Sequence, residues 1–201
     1  PDAGQKGLRE IADEGIALQL ALAMEQLHSS GIVYSDLKPR KVMLSAAPDV
    51  RGGQRAVLLC SLSAQVGETE GAAAVSSWTR LSGTPLYTPP EQWQSTAARS
   101  GKSDVYSLGI LLYQMLTGSE PFADTDELAI AKAHADTPLP PIAQYCPQAP
   151  RGLTELLIEM TAKSPSGRPS MTFVATFAHG MPVALLTNGI VRLARGFTSI
   201  T

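Results

Sequence analysis

The residues best suited to chemistry are Asp36 and Lys38, which lie in a segment reading VYSDLKPRKVML from Val33 to Leu44. A carboxylate held on a loop can accept the hydrogen bond of a hydroxyl group, and a nearby ammonium can balance negative charge. The core Asp-Leu-Lys-Pro is only moderately specific by itself, because a single aspartate is often an ordinary loop residue. Its interpretation therefore depends on the rest of the chain.

The histidines and cysteines indicate no second kind of chemistry. His28, His134 and His179 share no spacing typical of a metal site or a proton relay, so we expect surface or helix-capping roles for them. Cys60 and Cys146 lack both the C-x-x-C and the Cys/His metal spacings, which favours two reduced thiols. The sequence therefore predicts no metal-ligand set.

Four segments, in a fixed order, resemble motifs of the protein kinase family. Val33–Leu44 is similar to the catalytic loop, whose family pattern is H-R-D-L-K-P-x-N followed by a short strand. The other three are GTPLYTPPEQW from Gly83 to Trp93, SDVYSLGILLYQMLTG from Ser103 to Gly118 and KSPSGRPS from Lys163 to Ser170. The wording P-E-Q is most like bacterial members. The chain therefore resembles the C-terminal lobe of a eukaryotic-like, bacterial-type Ser/Thr protein kinase.

The resemblance implies catalytic roles for three residues. Asp36 would accept the hydrogen bond of the substrate hydroxyl, and Lys38 would balance the charge of the transferring phosphoryl group. Thr84 would hydrogen-bond toward both of them. The position of Lys38 matches kinases that phosphorylate serine and threonine rather than tyrosine.

The resemblance also implies three structural roles. Glu91 would form a buried ion pair with Arg168 and so fasten the activation segment to the lower helices. Asp104, on the central helix, would cap the backbone of the catalytic loop. These contacts would build the lobe whether or not it is active.

The chain departs from the family pattern at the positions that hold the cofactors, ATP and Mg²⁺. Lys41 replaces the asparagine that ligates Mg²⁺, and Ser61 replaces the aspartate of the D-F-G motif; neither side chain is a good Mg²⁺ ligand. These two cofactor-binding positions are thus degenerate, which predicts impaired ATP and Mg²⁺ binding. Lys41 could equally be a solvated lysine at a strand edge. Tyr34 and Ser35 replace the family's histidine and arginine, and control by an activation-loop phosphate is correspondingly less expected.

Periodicity and turn residues predict a mainly α protein of the α+β kinase family, helical with one small β-hairpin and without the N-lobe sheet. The predicted elements are a helix over Ile11–Leu27 that Gly31 ends, a hairpin of Val42–Leu44 with Ala56–Cys60, a mobile loop over Glu68–Ser82, a buried helix over Asp104–Leu116, a helix over Asp124–Ala135, a proline-rich connector over Pro138–Pro150, a helix around Leu153–Met160 and a last helix near Ser170.

Length and composition favour one main domain. The chain has 201 residues, 44% of them hydrophobic, and a net charge of −2. We expect a kinase-like lobe over 1–178, with the catalytic loop at 33–44 and the activation segment at 61–91, and a tail over 179–201 of unknown role. The tail could pack back on the lobe or dock a partner.

Charge and hydropathy exclude several classes of partner. No basic stripe indicates nucleic acid, and neither a signal peptide nor an apolar span of membrane length occurs, so we expect a cytoplasmic protein without membrane insertion. Pro1 stands where a natural start would have methionine, and no Gly-rich phosphate loop precedes Ile11. Both observations favour a piece of a longer protein.

Three functions remain open at the level of sequence. The first is a Ser/Thr protein kinase domain that is catalytically impaired, a pseudokinase that acts in signalling by binding proteins. The second is an active kinase that transfers the γ-phosphate of ATP to protein serine or threonine once an N-lobe is present. The third is a structural helical module of a larger protein.

Overall fold

A computed structural model describes residues 15–44, 56–58, 65–66, 85–93, 99–147 and 149–180. The described part is mainly helical, which confirms the predicted fold class. Its α-helices are α1 Ile16–Ser29, α2 Pro90–Trp93, α3 Gly101–Thr117, α4 Glu127–Asp136, α5 Arg151–Met160 and α6 Met171–His179. Its strands are β1 Ile32–Val33, β2 Val42–Leu44, β3 Ala56–Leu58 and β4 Gln65–Val66. Short 3₁₀ turns occupy Pro39–Lys41, Pro85–Tyr87, Ile142–Gln144 and Pro165–Gly167.

Helix α3 runs through the core, as its apolar character on all sides predicts. Val105, Leu108 and Ile110 are completely buried, and the helix packs against α1, α5 and α6. It begins at Gly101, three residues before the predicted start at Asp104. The prediction missed these residues because the first turn is polar; in it, Ser103 Oγ accepts a hydrogen bond from the Ser100 amide at 3.3 Å. Apolar periodicity does not indicate a helical turn made of polar residues.

Gly109 allows α3 and α5 to come close together. A Cβ atom at this position would lie 2.9 Å from Thr161 Cγ2 and 3.0 Å from Met160 Cβ. Both distances are shorter than normal carbon–carbon contacts, so only glycine fits here without a shift of one helix. The buried faces of the two helices therefore share a seam that depends on a missing side chain.

Helix α1 begins at Ile16, after Gly15 as its N-cap, rather than at the predicted Ile11; residues 11–14 lie outside the described part. Its apolar face packs against α6. The helix ends at Ser29, and Gly31 follows with a φ of +72°, a left-handed conformation that glycine adopts easily. The predicted role of this glycine as a helix terminator agrees with the backbone.

The strands β2 and β3 pair in antiparallel register, with Val42 opposite Leu58 and Leu44 opposite Ala56. This is the predicted hairpin, although residues 59 and 60 lie outside the described part. The prediction of one hairpin missed a second strand pair, because β1 pairs in antiparallel fashion with β4. Strands of two residues are too short to show an alternating pattern in the sequence.

The predicted start of α4 at Asp124 was also wrong. The helix begins at Glu127, and Asp126 is its cap, accepting a hydrogen bond from the Leu128 amide at 3.1 Å. Asp124 instead accepts a hydrogen bond from the Asp126 amide at 3.0 Å and so belongs to the preceding turn. Two aspartates that are equally good cap residues in sequence can be distinguished only by the path of the backbone.

Helix α6 begins just after Ser170, whose hydroxyl accepts a hydrogen bond from the Phe173 amide, in agreement with the prediction. The predicted loop Glu68–Ser82 and residues 181–201 of the tail lie outside the described residues.

Candidate functional site

The loop between β1 and the turn at Pro39–Lys41 brings Asp36, Lys38 and Lys41 together. Lys38 Nζ lies 2.8 Å from Asp36 Oδ1, and Lys41 Nζ lies 3.9 Å from Asp36 Oδ2. The side chains are 22%, 11% and 24% exposed for Asp36, Lys38 and Lys41 respectively, so the cluster is partly shielded from water. One carboxylate therefore faces two ammonium groups.

A short 3₁₀ turn separates the two lysines that lie near Asp36. Lys38 is the N-cap of this turn, with an extended backbone, and Lys41 is its last residue. The turn is closed by the Lys41 amide, which donates to the Lys38 carbonyl at 2.9 Å, and Pro39 favours the first position of such a turn. The turn thus places the Lys41 ammonium within ion-pair distance of Asp36.

The backbone before Asp36 is held in a strained conformation. Ser35 has a φ of +66°, a left-handed conformation that costs a non-glycine residue about 1–2 kcal/mol. Two hydrogen bonds to Asp104 offset this cost. Its Oδ2 accepts a hydrogen bond from the Tyr34 amide at 2.8 Å, and its Oδ1 accepts one from the Ser35 amide at 2.7 Å. Asp104 is 1% exposed, so these charge-assisted hydrogen bonds form away from water. The central helix therefore fixes the loop that carries Asp36.

His28 also contacts Asp104, a contact that the sequence did not predict. Its Nε2 lies 2.8 Å from Asp104 Oδ2, and its side chain is 18% exposed. The two residues are 76 positions apart, so no local spacing relates them. His28 lies in the last turn of α1 and is joined to α3 by this contact.

Glu91 and Arg168 form a two-pronged ion pair. Arg168 Nη1 donates to Glu91 Oε1 at 2.7 Å, and Nη2 donates to Glu91 Oε2 at 2.8 Å. Burial alone would raise the pKa of Glu91, but the hydrogen bonds and charge of Arg168, with a hydrogen bond from Ser103, outweigh it and hold this pKa below its ordinary value. The pair joins α2 to the turn that precedes α6.

Tyr87 provides a second anchor next to α2 that sequence reasoning missed. Its hydroxyl donates to Gln114 Oε1 at 2.7 Å and lies 3.2 Å from Glu120 Oε1, while its carbonyl accepts a hydrogen bond from the Ser107 hydroxyl at 2.9 Å. Burial, reinforced by the Glu120 charge, raises the pKa of Tyr87 well above its ordinary value. The tyrosine therefore stays neutral and ties this segment to α3.

The expected surface or capping role of His134 was wrong. The residue is completely buried, Tyr106 Oη lies 2.8 Å from its Nδ1, and the Phe122 ring packs edge-on at 5.0 Å. Burial, with the nearby charge of Lys163, lowers the pKa of His134 to about 4. Histidine is amphipathic, so its sequence position alone does not distinguish a buried from an exposed ring.

Thr84 and Ser61, the other site residues predicted from the sequence, lie outside the described residues. The described donor set does not fit the Mg²⁺ ion that the resemblance implies, because the Lys41 ammonium has no lone pair to offer. Within the same described ranges, no group of three or more His, Cys, Asp or Glu residues could hold a metal ion. None of the helices in those ranges is long and apolar enough to cross a membrane.

Comparison with known proteins identifies the family. The family model "Protein kinase domain" matches residues 4–179. The chain is 32% identical over 171 residues to the probable serine/threonine-protein kinase PknB of Lactococcus lactis (82% of this chain, 26% of the relative). It is 30% identical over 161 residues to the serine/threonine-protein kinase RUNKEL of Arabidopsis thaliana (80% and 11%). It is 32% identical over 168 residues to the serine/threonine-protein kinase Pkn1 of Myxococcus xanthus (83% and 23%).

These relatives are longer than the chain, which spans about a quarter of PknB and Pkn1 and about a tenth of RUNKEL. The family match, together with the bacterial relatives, confirms the resemblance to bacterial-type Ser/Thr kinase domains. The chain belongs to the protein kinase domain family.

Proposed function

We propose that this chain is a kinase C-terminal lobe whose phosphotransfer is impaired and which acts by binding proteins. The observation that carries the proposal is the Lys41 ammonium 3.9 Å from Asp36, at the position where the family pattern has a metal-binding asparagine.

Two sets of contacts that build the lobe are present among the described residues. Asp104 holds the backbone of Tyr34 and Ser35, and Arg168 holds Glu91. These contacts fix the catalytic loop and the segment around α2 without taking part in phosphoryl transfer. A protein that retains these contacts can hold the catalytic loop and α2 in place without catalysing transfer, which is compatible with a binding function.

The contacts that the reaction needs are altered. Phosphoryl transfer depends on positioning and on cations that neutralise the phosphate oxygens, and the family as a whole uses ATP with Mg²⁺ for this purpose. Lys41 adds positive charge beside Asp36 but offers no ligand to a metal ion. Loss of one preorganised electrostatic contact typically costs about 3–4 kcal/mol in the barrier. The sequence change at Ser61 would add to this loss.

A binding function needs an accessible surface. Pro89 and Pro90 are buried and Glu91 is paired, so Gln92 and Trp93 are the parts of α2 that a partner could reach. Leu128 on α4 is 77% exposed and Phe173 on α6 is 51% exposed, which offers further apolar contact points. We propose a protein partner in a cytoplasmic signalling assembly.

A phosphotransfer assay tests the proposal. The protein that contains this chain, at its natural length, is incubated with ATP, Mg²⁺ and a generic serine/threonine substrate, beside its Asp36→Asn variant. We expect only background transfer and no difference between the two. Transfer that Asp36→Asn abolishes would show that the lobe is catalytic and that the proposal is wrong.

An active Ser/Thr kinase is the second candidate, and the pair of Asp36 and Lys38 at 2.8 Å favours it. That pair has the arrangement expected for a base and a charge-balancing lysine. Lys41→Asn in the same assay distinguishes the candidates. If the wild type shows only background transfer and Lys41→Asn raises it, Lys41 is what impairs the lobe, and the remaining machinery is competent. If the wild type itself transfers phosphate, the second candidate is correct.

A further inference from the structure

The cluster of Asp36, Lys38 and Lys41 carries one negative and two positive charges. Lys38 uses one of its three N–H donors in its contact with Asp36, in which Nζ lies 2.8 Å from Oδ1. Lys41 is 3.9 Å from Asp36, close enough for charge attraction but beyond hydrogen-bond distance. At this distance Asp36 does not take up an N–H donor of Lys41, so the ammonium can still donate to a phosphate oxygen.

We propose that this cluster binds the oxyanions of a di- or triphosphate chain directly, without a divalent cation. Lys41 would take over the charge-neutralising role of the metal, and Lys38 would contact the same phosphate group. The inference rests on the proposed function, because it concerns the same site, but it makes a separate claim about the ligand. It accounts for the presence of an ammonium where the family pattern has a metal ligand.

Two physical reasons support independence from metal. Ammonium–phosphate hydrogen bonds are charge-assisted, and partial burial at 11% and 24% side-chain exposure for Lys38 and Lys41 shields them from competing water. A Mg²⁺ ion would reduce the charge on the phosphate and would face two ammonium groups. Mg²⁺ should therefore weaken binding to this site instead of promoting it.

Titration calorimetry with sodium tripolyphosphate tests the inference, since this probe lacks a nucleoside and reports on the phosphate subsite alone. Binding is measured in EDTA and again in excess MgCl₂ at matched ionic strength. For the wild-type chain we expect binding in EDTA and affinity at least about tenfold weaker in MgCl₂. For Lys41→Asn we expect affinity about tenfold weaker in EDTA, and a gain on adding MgCl₂ because the amide oxygen can ligate the ion.

Lys132→Asn is the matched control, because Lys132 is an exposed lysine on α4. Its affinity should equal that of the wild type; an equal loss in both variants would mean diffuse charge attraction and would overturn the proposal. Circular dichroism and thermal melting establish that each variant is folded. The proposal would also be overturned if the wild type did not bind tripolyphosphate in EDTA, whether or not it binds with MgCl₂. An affinity of Lys41→Asn equal to that of the wild type would overturn it as well.

The result is independent of the phosphotransfer assay. Metal-dependent phosphate binding without transfer would refute this inference and leave the proposed function standing. Transfer that depends on Asp36 would refute the proposed function, whatever the calorimetry shows about phosphate.

Discussion

Arg168 uses every hydrogen-bond donor of its guanidinium group. Besides the two bonds to Glu91, its Nε donates to the Ala162 carbonyl at 2.8 Å, and Nη1 and Nη2 donate to the carbonyls of Lys102 and Lys163 at 3.0 and 3.1 Å. Its side chain is completely buried. A buried charge is tolerated only when its donors are satisfied, and five acceptors for five donors meet that condition.

Arg168→Lys should be strongly destabilising although it keeps the charge. Lysine has three donors and no planar fork, so at least two buried acceptors lose their partner. We expect the free energy of unfolding to fall by roughly 2–4 kcal/mol, measured by urea denaturation. Arg151→Lys is the control, because Arg151 is 92% exposed in its ion pair with Glu155. The free energy of unfolding of this variant should lie within about 0.5 kcal/mol of that of the wild type. Equal losses in both variants would contradict this account of Arg168.

Asp104→Asn tests whether the central helix holds the catalytic loop. The amide keeps the shape of the carboxylate but can accept through one oxygen only, so the Tyr34 and Ser35 amides cannot both be bonded as before. We expect faster hydrogen exchange at these two amides and a loss of roughly 1–3 kcal/mol of stability. Glu159→Gln, on an exposed position of α5, should change neither quantity. Unchanged exchange at Tyr34 and Ser35 in Asp104→Asn would show that the loop is held by other contacts.

Among the helices, the spacing between α3 and α5 is limited by atoms that cannot move easily. Gly109 faces Met160 Cβ and Thr161 Cγ2, which are fixed close to the α5 backbone. Gly152 on α5 differs, because a Cβ there would lie 3.2 Å from the edge of the Phe177 ring, which can shift. Similar substitutions should therefore have different consequences at the two glycines.

Gly109→Ala should destabilise the protein by roughly 1–3 kcal/mol, because overpacking at the seam outweighs the gain of about 1 kcal/mol in helix propensity. Gly152→Ala should be near neutral, since the same gain is offset by a small movement of Phe177. Thermal unfolding of both variants checks the pair. If Gly109→Ala were as stable as the wild type, α3 and α5 would have to be less tightly packed than the structure shows.

For the whole molecule, His134 connects several parts of the fold in one buried cluster. Its ring contacts Tyr106 of α3 and Phe122 of the loop before α4. Lys163 Nζ lies 4.6 Å from the centroid of the Phe122 ring and donates to the His134 carbonyl at 2.8 Å. Protonated His134 would be an unpaired buried cation close to Lys163, so the neutral ring is the form compatible with the native packing.

Stability should therefore decrease in mild acid. The pKa of His134 is about 4 in the folded protein and about 6.5 for an ordinary histidine, so between these values the unfolded chain binds the proton and the folded chain does not. The contribution is complete above pH 6.5 and is lost as the pH falls to 4, by roughly 3 kcal/mol. Urea denaturation of the wild type and of His134→Gln across this range measures it. An equally steep pH dependence in His134→Gln would assign the effect to other groups.

The sequence by itself determined the family and the order of the longer helices, and it named Asp36, Lys38, Glu91, Asp104 and Arg168 as candidate site residues. Motif spacing and apolar periodicity are local properties, so both can be recognised in the sequence without knowledge of the fold. Only the tertiary structure decided that Lys41 approaches Asp36, that His28 contacts Asp104 and that His134 is buried. Each of these depends on how separate helices and turns pack, because a residue's local pattern gives the face on which it lies but not its partner across the core.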